Sequence, residues 1–259
     1  MRQRMMLLVC GITVVACSGQ GLDTGTADPS APGEAATPLV TGTVVAIDVD
    51  GRATPAQGVQ ACAWWNGAAA GCETTAEDGA FITAYDTQSS VVLQAQKPGF
   101  LSARTELVVG SRDVATQILL LSTTAATAYA TAAHRVHVPD TSTGVLVNVT
   151  VLNPGGLEPF AAASVEITDS QGTAIPVVYA DPDGRPDASL ESTSTRGFAA
   201  ALGLAATALQ IRVEAPDPAT RCGVWKHQSD GVKPESTLVL TAGVVQVVDV
   251  ACVPNFPGR

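Results

Sequence analysis

The sequence predicts an all-β protein in which two tandem β-sandwich domains follow an apolar leader and a flexible tether. Three observations carry that expectation. Short runs rich in Val and Thr, residues that favour strands, recur along the chain. Turn pairs such as Asp50-Gly51, Asp78-Gly79, Pro154-Gly155 and Asp183-Gly184 separate them. The chain has 259 residues, of which about 220 remain after the leader and tether, enough for two ordinary domains or one large sandwich.

The leader is residues 1–16. Arg2 and Arg4 form a positive start, and Met5 to Val15 is apolar but too short to span a bilayer. Val14-Val15-Ala16-Cys17 then resembles the cleavage site of bacterial lipoproteins, in which the cysteine becomes the lipidated N-terminus, commonly carrying palmitate. That resemblance implies attachment to a membrane through Cys17. The competing reading is an ordinary secretion signal cleaved at Ser18 or later. Residues 17–39 are mostly Ser, Gly, Thr, Asp, Ala and Pro, with no aromatic and almost no bulky aliphatic residue. Such a stretch cannot bury enough apolar area to offset its ordering entropy, and it reads as a spacer with a reach of roughly 25 Å. In the lipoprotein family an Asp after the cysteine can hold the protein at the inner membrane. Ser18 stands there, which points by resemblance to the outer membrane.

Charge narrows the partners. The formal net charge is −10, from 14 basic and 24 acidic residues. An acidic chain without a Lys/Arg cluster argues against nucleic acid and against electrostatic docking on anionic lipid. The partners it leaves are the membrane, through the lipid anchor, and an envelope protein or glycan.

Cysteine usage agrees with export. Cys10 leaves with the leader and Cys17 takes the lipid, so Cys62, Cys72, Cys222 and Cys252 remain. An even number in an oxidising compartment reads as disulfides, with three possible connectivities. Cys62 and Cys72 flank Trp64-Trp65-Asn66-Gly67, where Asn-Gly is a hairpin signal, so a bridge across that hairpin is local. Cys222 and Cys252 then pair in the second half. Zinc is the alternative, but no close Cys-x-x-Cys pair supports it.

Residues 40–122 form the first folded segment. Val44 to Val49, Val59 to Trp65, Phe81-Ile82, Val91 to Gln96, Leu101 to Val109 and Val114 to Leu121 read as strands within a set of about seven. Four motifs occur in order: Thr41-Gly42-Thr43-Val44-Val45, Pro55-Ala56-Gln57-Gly58-Val59, Thr75-Ala76-Glu77-Asp78-Gly79-Ala80-Phe81 and Lys97-Pro98-Gly99-Phe100. Together they resemble the carboxypeptidase regulatory-like domain, a transthyretin-like sandwich with an immunoglobulin-like architecture. The resemblance covers about a third of the chain and implies a non-catalytic module of a carbohydrate-binding-like superfamily. Trp64 and Trp65 are the candidate ligand-stacking residues. Neighbours on a strand face opposite ways, which would let one ring be core and the other stack on a ligand; the reading set against it is that both rings cover the Cys62–Cys72 bridge.

Residues 123–133, an Ala/Thr run with Tyr129, read as a linker or a short helix. Residues 134–254 hold a second set of strands, and residues 255–259 form a tail. Pro159 to Val165 echoes the Pro55 turn, and Thr193-Ser194-Thr195-Arg196-Gly197-Phe198 echoes Thr75 to Phe81. This reads as a diverged second copy of the same sandwich. Asp181-Pro182-Asp183-Gly184-Arg185-Pro186-Asp187 is the densest acidic loop. Asp181, Asp183 and Asp187 are a weak calcium candidate, set against an ordinary Asp/Gly turn.

Catalysis and cofactors find little support. His134 and His137 would face opposite ways on a strand, and His227 stands alone beside Lys226. No Gly-x-Ser-x-Gly occurs. Transthyretin-like hydrolases end in a catalytic tetrapeptide that Asn255 to Arg259 does not match. The sequence therefore favours a non-catalytic envelope lipoprotein carrying binding or scaffolding modules. A surface carbohydrate-binding module and a metal-dependent hydrolase stand behind it.

Overall fold

The computed structural model describes residues 39–65, 68–84, 90–108, 114–133, 143–153, 156–205, 207–225 and 235–254. The leader, Cys17, the tether before residue 39, all three histidines and residues 255–259 lie outside the described residues. The described residues belong to one compact unit, Thr37–Arg259. They are all-β apart from one helix, and form two sandwiches.

The first half contains β1 (Leu39–Ile47), β2 (Ala53–Pro55), β3 (Gln60–Trp65), β4 (Ala68–Thr74), β5 (Ala80–Ala84), β6 (Ser90–Gln96), β7 (Ala103–Val108) and β8 (Val114–Leu121). In one layer β1 pairs antiparallel with β2 and β5 and parallel with β8. The other layer runs β4-β3-β6-β7. Period-two alternation sets what meets between them. Val91, Leu93 and Ala95 of β6 and Ala103 and Leu107 of β7 face Val40 and Val44 of β1 and Ile118 of β8. Phe81 is buried in register with Gly42. Its ring occupies the space that a Cβ on Gly42 would need, so the small residue on β1 makes room for the aromatic anchor on β5. Both β2 and β4 fall in stretches without a hydrophobic run, Ala53-Thr54-Pro55 and Ala68-Ala69-Ala70-Gly71, and the first half has eight strands rather than about seven.

Of the two readings of the Ala/Thr run, the structure takes the helix: α1 (Thr123–Ala132). The Ser122 hydroxyl caps it, accepting the Ala125 N–H at 3.1 Å. Alanine supplies propensity and a thin buried face of Ala125, Ala126, Tyr129 and Ala130.

The second half contains β9 (Gly144–Asn153), β10 (Gly156–Pro159), β11 (Ser164–Asp169), β12 (Val178–Ala180), β13 (Pro186–Asp187), β14 (Phe198–Leu202), β15 (Ala208–Glu214), β16 (Arg221–Val224), β17 (Glu235–Val239) and β18 (Val245–Val253). One layer is β11-β15-β17. The other, β13-β12-β14-β9-β18, joins the first half through a short parallel pairing of β18 with β7 and so extends an 11-stranded sheet.

Strands β9, β14 and β18 are covered on both faces. Leu146, Phe198, Ala200, Leu202, Val245 and Val247 enter the first core, with α1 and the end of β8. Val145, Val147, Val149, Ala199, Ala201, Val248 and Val250 enter the second. That is why Val145-Leu146-Val147 and Phe198-Ala199-Ala200-Ala201-Leu202 are continuously apolar instead of alternating.

Both halves use one hydrogen-bond plan. The Val44 N–H donates to Gly79 O (2.9 Å), and Val44 O accepts from the Ala56 N–H (2.9 Å). The Val149 N–H donates to Gly197 O (2.5 Å), and Val149 O accepts from the Phe160 N–H (2.9 Å). The Thr75 hydroxyl accepts from the Val59 N–H (3.0 Å) and donates to Ala56 O (2.5 Å). The Thr193 hydroxyl accepts from the Ala163 N–H (3.0 Å) and donates to Phe160 O (2.7 Å). A Cβ on Gly79 or Gly197 would run into the carbonyl of Val44 or Val149 respectively, so both positions require glycine. In each half the first strand lies parallel to the last, β1 beside β8 and β9 beside β18.

Candidate functional site

The Trp64-Trp65 hairpin is the first candidate. Cys62 and Cys72 are register partners on β3 and β4 and are disulfide-bonded, with Cα atoms 4.0 Å apart. The β3–β4 register shifts between Ala63 and Trp64 because Ala70 of β4 is skipped, while β3 stays in unbroken register with β6 through Trp64. Both rings are half-buried. Each indole Nε1 is buried without a hydrogen-bond partner. Cys222 and Cys252 are likewise register partners, on β16 and β18, and are bonded.

The acidic loop is turn chemistry. Asp181 Oδ1 accepts the N–H groups of Asp183 (2.9 Å) and Arg185 (2.8 Å). Asp48 does the same for Asp50 and Arg52 (both 2.9 Å), and Asp169 for Gln171 (2.8 Å) and Thr173 (2.9 Å). Three Asp-x-x-Gly turns thus share one side-chain-to-backbone pattern. The two backbone donors hold the Asp169 carboxyl below the usual carboxylate range. Asp187 is also lowered, first by the Ser189 hydroxyl (2.6 Å) and then by the Ser189 N–H (2.8 Å). Among the described residues no three of His, Cys, Asp or Glu gather into a metal-ligand set. Asp181, Asp183 and Asp187 are therefore not brought together as calcium ligands.

Two of these turns meet at the junction of the halves. Gly51 and Gly184 are both buried, and a Cβ on either would overlap the backbone of the other. Asp50 and Arg185 form an exposed ion pair at 3.8 Å. From α1 the Tyr129 hydroxyl donates to Gly184 O at 3.3 Å, and its ring lies 5.9 Å from Phe198. Burial pushes the Tyr129 phenol well above its ordinary value, and the Asp181 charge adds to the shift. The sequence signal for this contact is the repeated Asp-x-Asp-Gly-Arg string at 48–52 and 181–185.

An open groove of about 660 Å³ runs beside α1, lined by Val49, Thr123, Thr124, Thr127, Thr131 and Pro186 among others. The Thr127 and Thr131 hydroxyls donate back to Thr123 O (2.9 Å) and Thr127 O (2.7 Å). Among the described residues that line it none is ionisable.

No family model and no curated protein matches the chain. Among solved structures it is similar to the shaft pilin SpaA of Lactobacillus rhamnosus GG, at 12% identity and TM-score 0.28, over 86% of this chain and 100% of that one. The minor pilin GBS52 of Streptococcus agalactiae aligns at 14% identity and TM-score 0.31, again over 86% and 100%. A streptococcal ancillary pilin aligns at 12% and 0.23, over 85% of this chain and 63% of that one. At these TM-scores the likeness carries no argument about function.

Proposed function

We propose that the chain is a non-catalytic lipoprotein of the cell envelope, tethered through Cys17, whose two sandwiches act as a binding or scaffolding module. The observation that carries the reading is the pairing of the four cysteines beyond Cys17. Cys62–Cys72 and Cys222–Cys252 are both bonded, and such bonds persist in oxidising compartments. The leader, Val14-Val15-Ala16-Cys17 and the spacer after it supply the anchor, and Ser18 favours the outer membrane. The first half is proposed as a carboxypeptidase regulatory-like module and the second as its diverged copy, on the strength of the shared motifs and hydrogen-bond plan. Its partner is an envelope protein or glycan.

The test is expression of the full chain in a bacterium with lipoprotein processing, beside Cys17→Ser. The N-terminal peptide of the wild type is expected to begin at an acylated Cys17 and the protein to sediment with membranes, while Cys17→Ser stays soluble. An unmodified N-terminus at or beyond Ser18, or equal membrane partitioning of the two proteins, overturns the anchor.

A further inference from the structure

We infer that each half is a mechanical clamp, so that the protein resists tension applied between the chain segments that flank it. This goes beyond the envelope reading and does not depend on Cys17. In each half the strand through which the chain enters lies beside, and parallel to, the strand through which it leaves. Val40 to Ile47 pair with Val114 to Leu121, and Gly144 to Val151 pair with Val245 to Cys252, eight register pairs in each case. Pulling the start of one parallel strand against the end of its neighbour slides the two along their common axis. The whole ladder is then loaded at once. An antiparallel pair pulled from one end opens a single pair at a time.

Side chains reinforce the same two ladders. The Thr41 hydroxyl reaches Val114 O at 3.5 Å across β1 and β8. Across β9 and β18, Asn148 Nδ2 donates to Asp249 Oδ1 at 2.9 Å and the Thr150 hydroxyl donates to Val250 O at 3.1 Å. Beyond the ladder's start, the Gly243 N–H donates to the Thr143 hydroxyl at 2.8 Å. Solvent access separates the clamps. From Gly144 to Val147 and Val245 to Val248 the β9–β18 ladder is covered by a core on each face, which keeps water from its bonds as they stretch, while Asn148, Thr150 and Asp249 farther along are half-buried. Most residues of β1 are half-exposed. The β9–β18 clamp is therefore the stronger.

Pulling the full chain end to end in a single-molecule force experiment tests the inference, with the native disulfides intact. The reference direction is the same protein pulled between exposed Gln171 and Ala205, which flank one end of the antiparallel β11–β15 pair. End-to-end rupture is expected at several-fold higher force than this unzipping. Unfolding of the second half is recognised by its length. Cys222 and Cys252 are 30 residues apart, so reduction should lengthen that step by about 110 Å of extended chain. Asn148→Ala with Thr150→Val, shown folded by circular dichroism, should lower the force of that step and leave the first half's unchanged. End-to-end rupture at or below the unzipping force, or a double variant that ruptures like wild type, overturns the inference.

Discussion

Alanine substitution at three structurally equivalent glycines separates local turn strain from the contact that joins the halves. Gly51, Gly172 and Gly184 close Asp-x-x-Gly turns with the same hydrogen-bond pattern and φ of 73°, 80° and 93°. Moving an L-residue into that region costs about 1–2 kcal/mol, and Gly172→Ala should cost only this, because a Cβ there meets nothing within 4 Å. At Gly184 the new Cβ overlaps the Gly51 backbone. Backbone cannot rotate out of the way as a side chain can, so a further penalty of about 1–3 kcal/mol for overpacking applies. Displacing the turn also strains the Tyr129 hydrogen bond, worth about 1 kcal/mol. The expected totals are about 1.5 kcal/mol for Gly172→Ala and about 4 kcal/mol for Gly184→Ala. Gly51→Ala should resemble Gly184→Ala. The double variant should cost less than the sum, because once the turns separate the second Cβ meets no new obstacle. Guanidinium unfolding followed by tryptophan fluorescence reads all four proteins. Equal costs at Gly172 and Gly184, or additive costs at Gly51 and Gly184, would refute the reasoning.

Burial raises the phenols of both Tyr129 and Tyr179, so the folded state keeps their protons longer than the unfolded chain. Their contribution is complete below about pH 10 and is lost as pH rises further, by up to about 1.4 kcal/mol per pH unit for each group. Melting temperatures between pH 9 and 12 should fall more gently in Tyr129→Phe, and an unchanged slope would contradict the assignment. Thr75→Val and Thr193→Val each leave a buried N–H and carbonyl unpaired and should cost about 2 kcal/mol apiece; urea midpoints test whether the two sites respond alike. Loop-closure entropy gives about 4 kcal/mol for Cys222–Cys252, across 30 residues, and about 3 kcal/mol for Cys62–Cys72, across 10. Serine pairs at each bridge, compared by denaturant unfolding, should rank in that order.

The sequence was most legible where a local rule decides the outcome. β8 has the bounds that its apolar run suggests, Val114–Leu121, and Asp50-Gly51, Asp78-Gly79 and Asp183-Gly184 lie in turns. The echo of Thr75 to Phe81 in Thr193 to Phe198 reappears as matched hydrogen bonds, because the threonine hydroxyl and the glycine are what that corner needs. Strand β2 was not legible, since Ala53-Thr54-Pro55 forms a strand only because β1 pairs with it, whereas β4 is the far arm of the hairpin that Asn66-Gly67 and the two cysteines signal. Trp64 and Trp65 are both half-buried, and the bulge that skips Ala70 opposite them leaves no fixed mark in the sequence. The junction was hidden for a different reason. Asp48 and Asp181 each organise their own turn, so each string reads as a complete local motif, and nothing local reveals that the two glycine tips touch.

The double-faced sheet makes the two sandwiches unequal partners. The second core is built from second-half residues alone, whereas the first core draws in Leu146, Val178, Phe198, Leu202, Val245 and Val247 from the second half. A chain starting at Thr143 would keep its own core but expose that face. Each large apolar side chain returned to water costs about 1.5–3 kcal/mol. Six of them amount to roughly 10 kcal/mol, comparable to the whole stability of an ordinary domain, about 5–15 kcal/mol. Residues 143–254 expressed alone should therefore self-associate or fail to melt cooperatively, whereas residues 39–254 should melt as a monomer. Gel filtration and calorimetry distinguish the cases. A monomeric 143–254 fragment that melts near the temperature of the longer chain would show that the shared face contributes little, and that the sandwiches are separable after all.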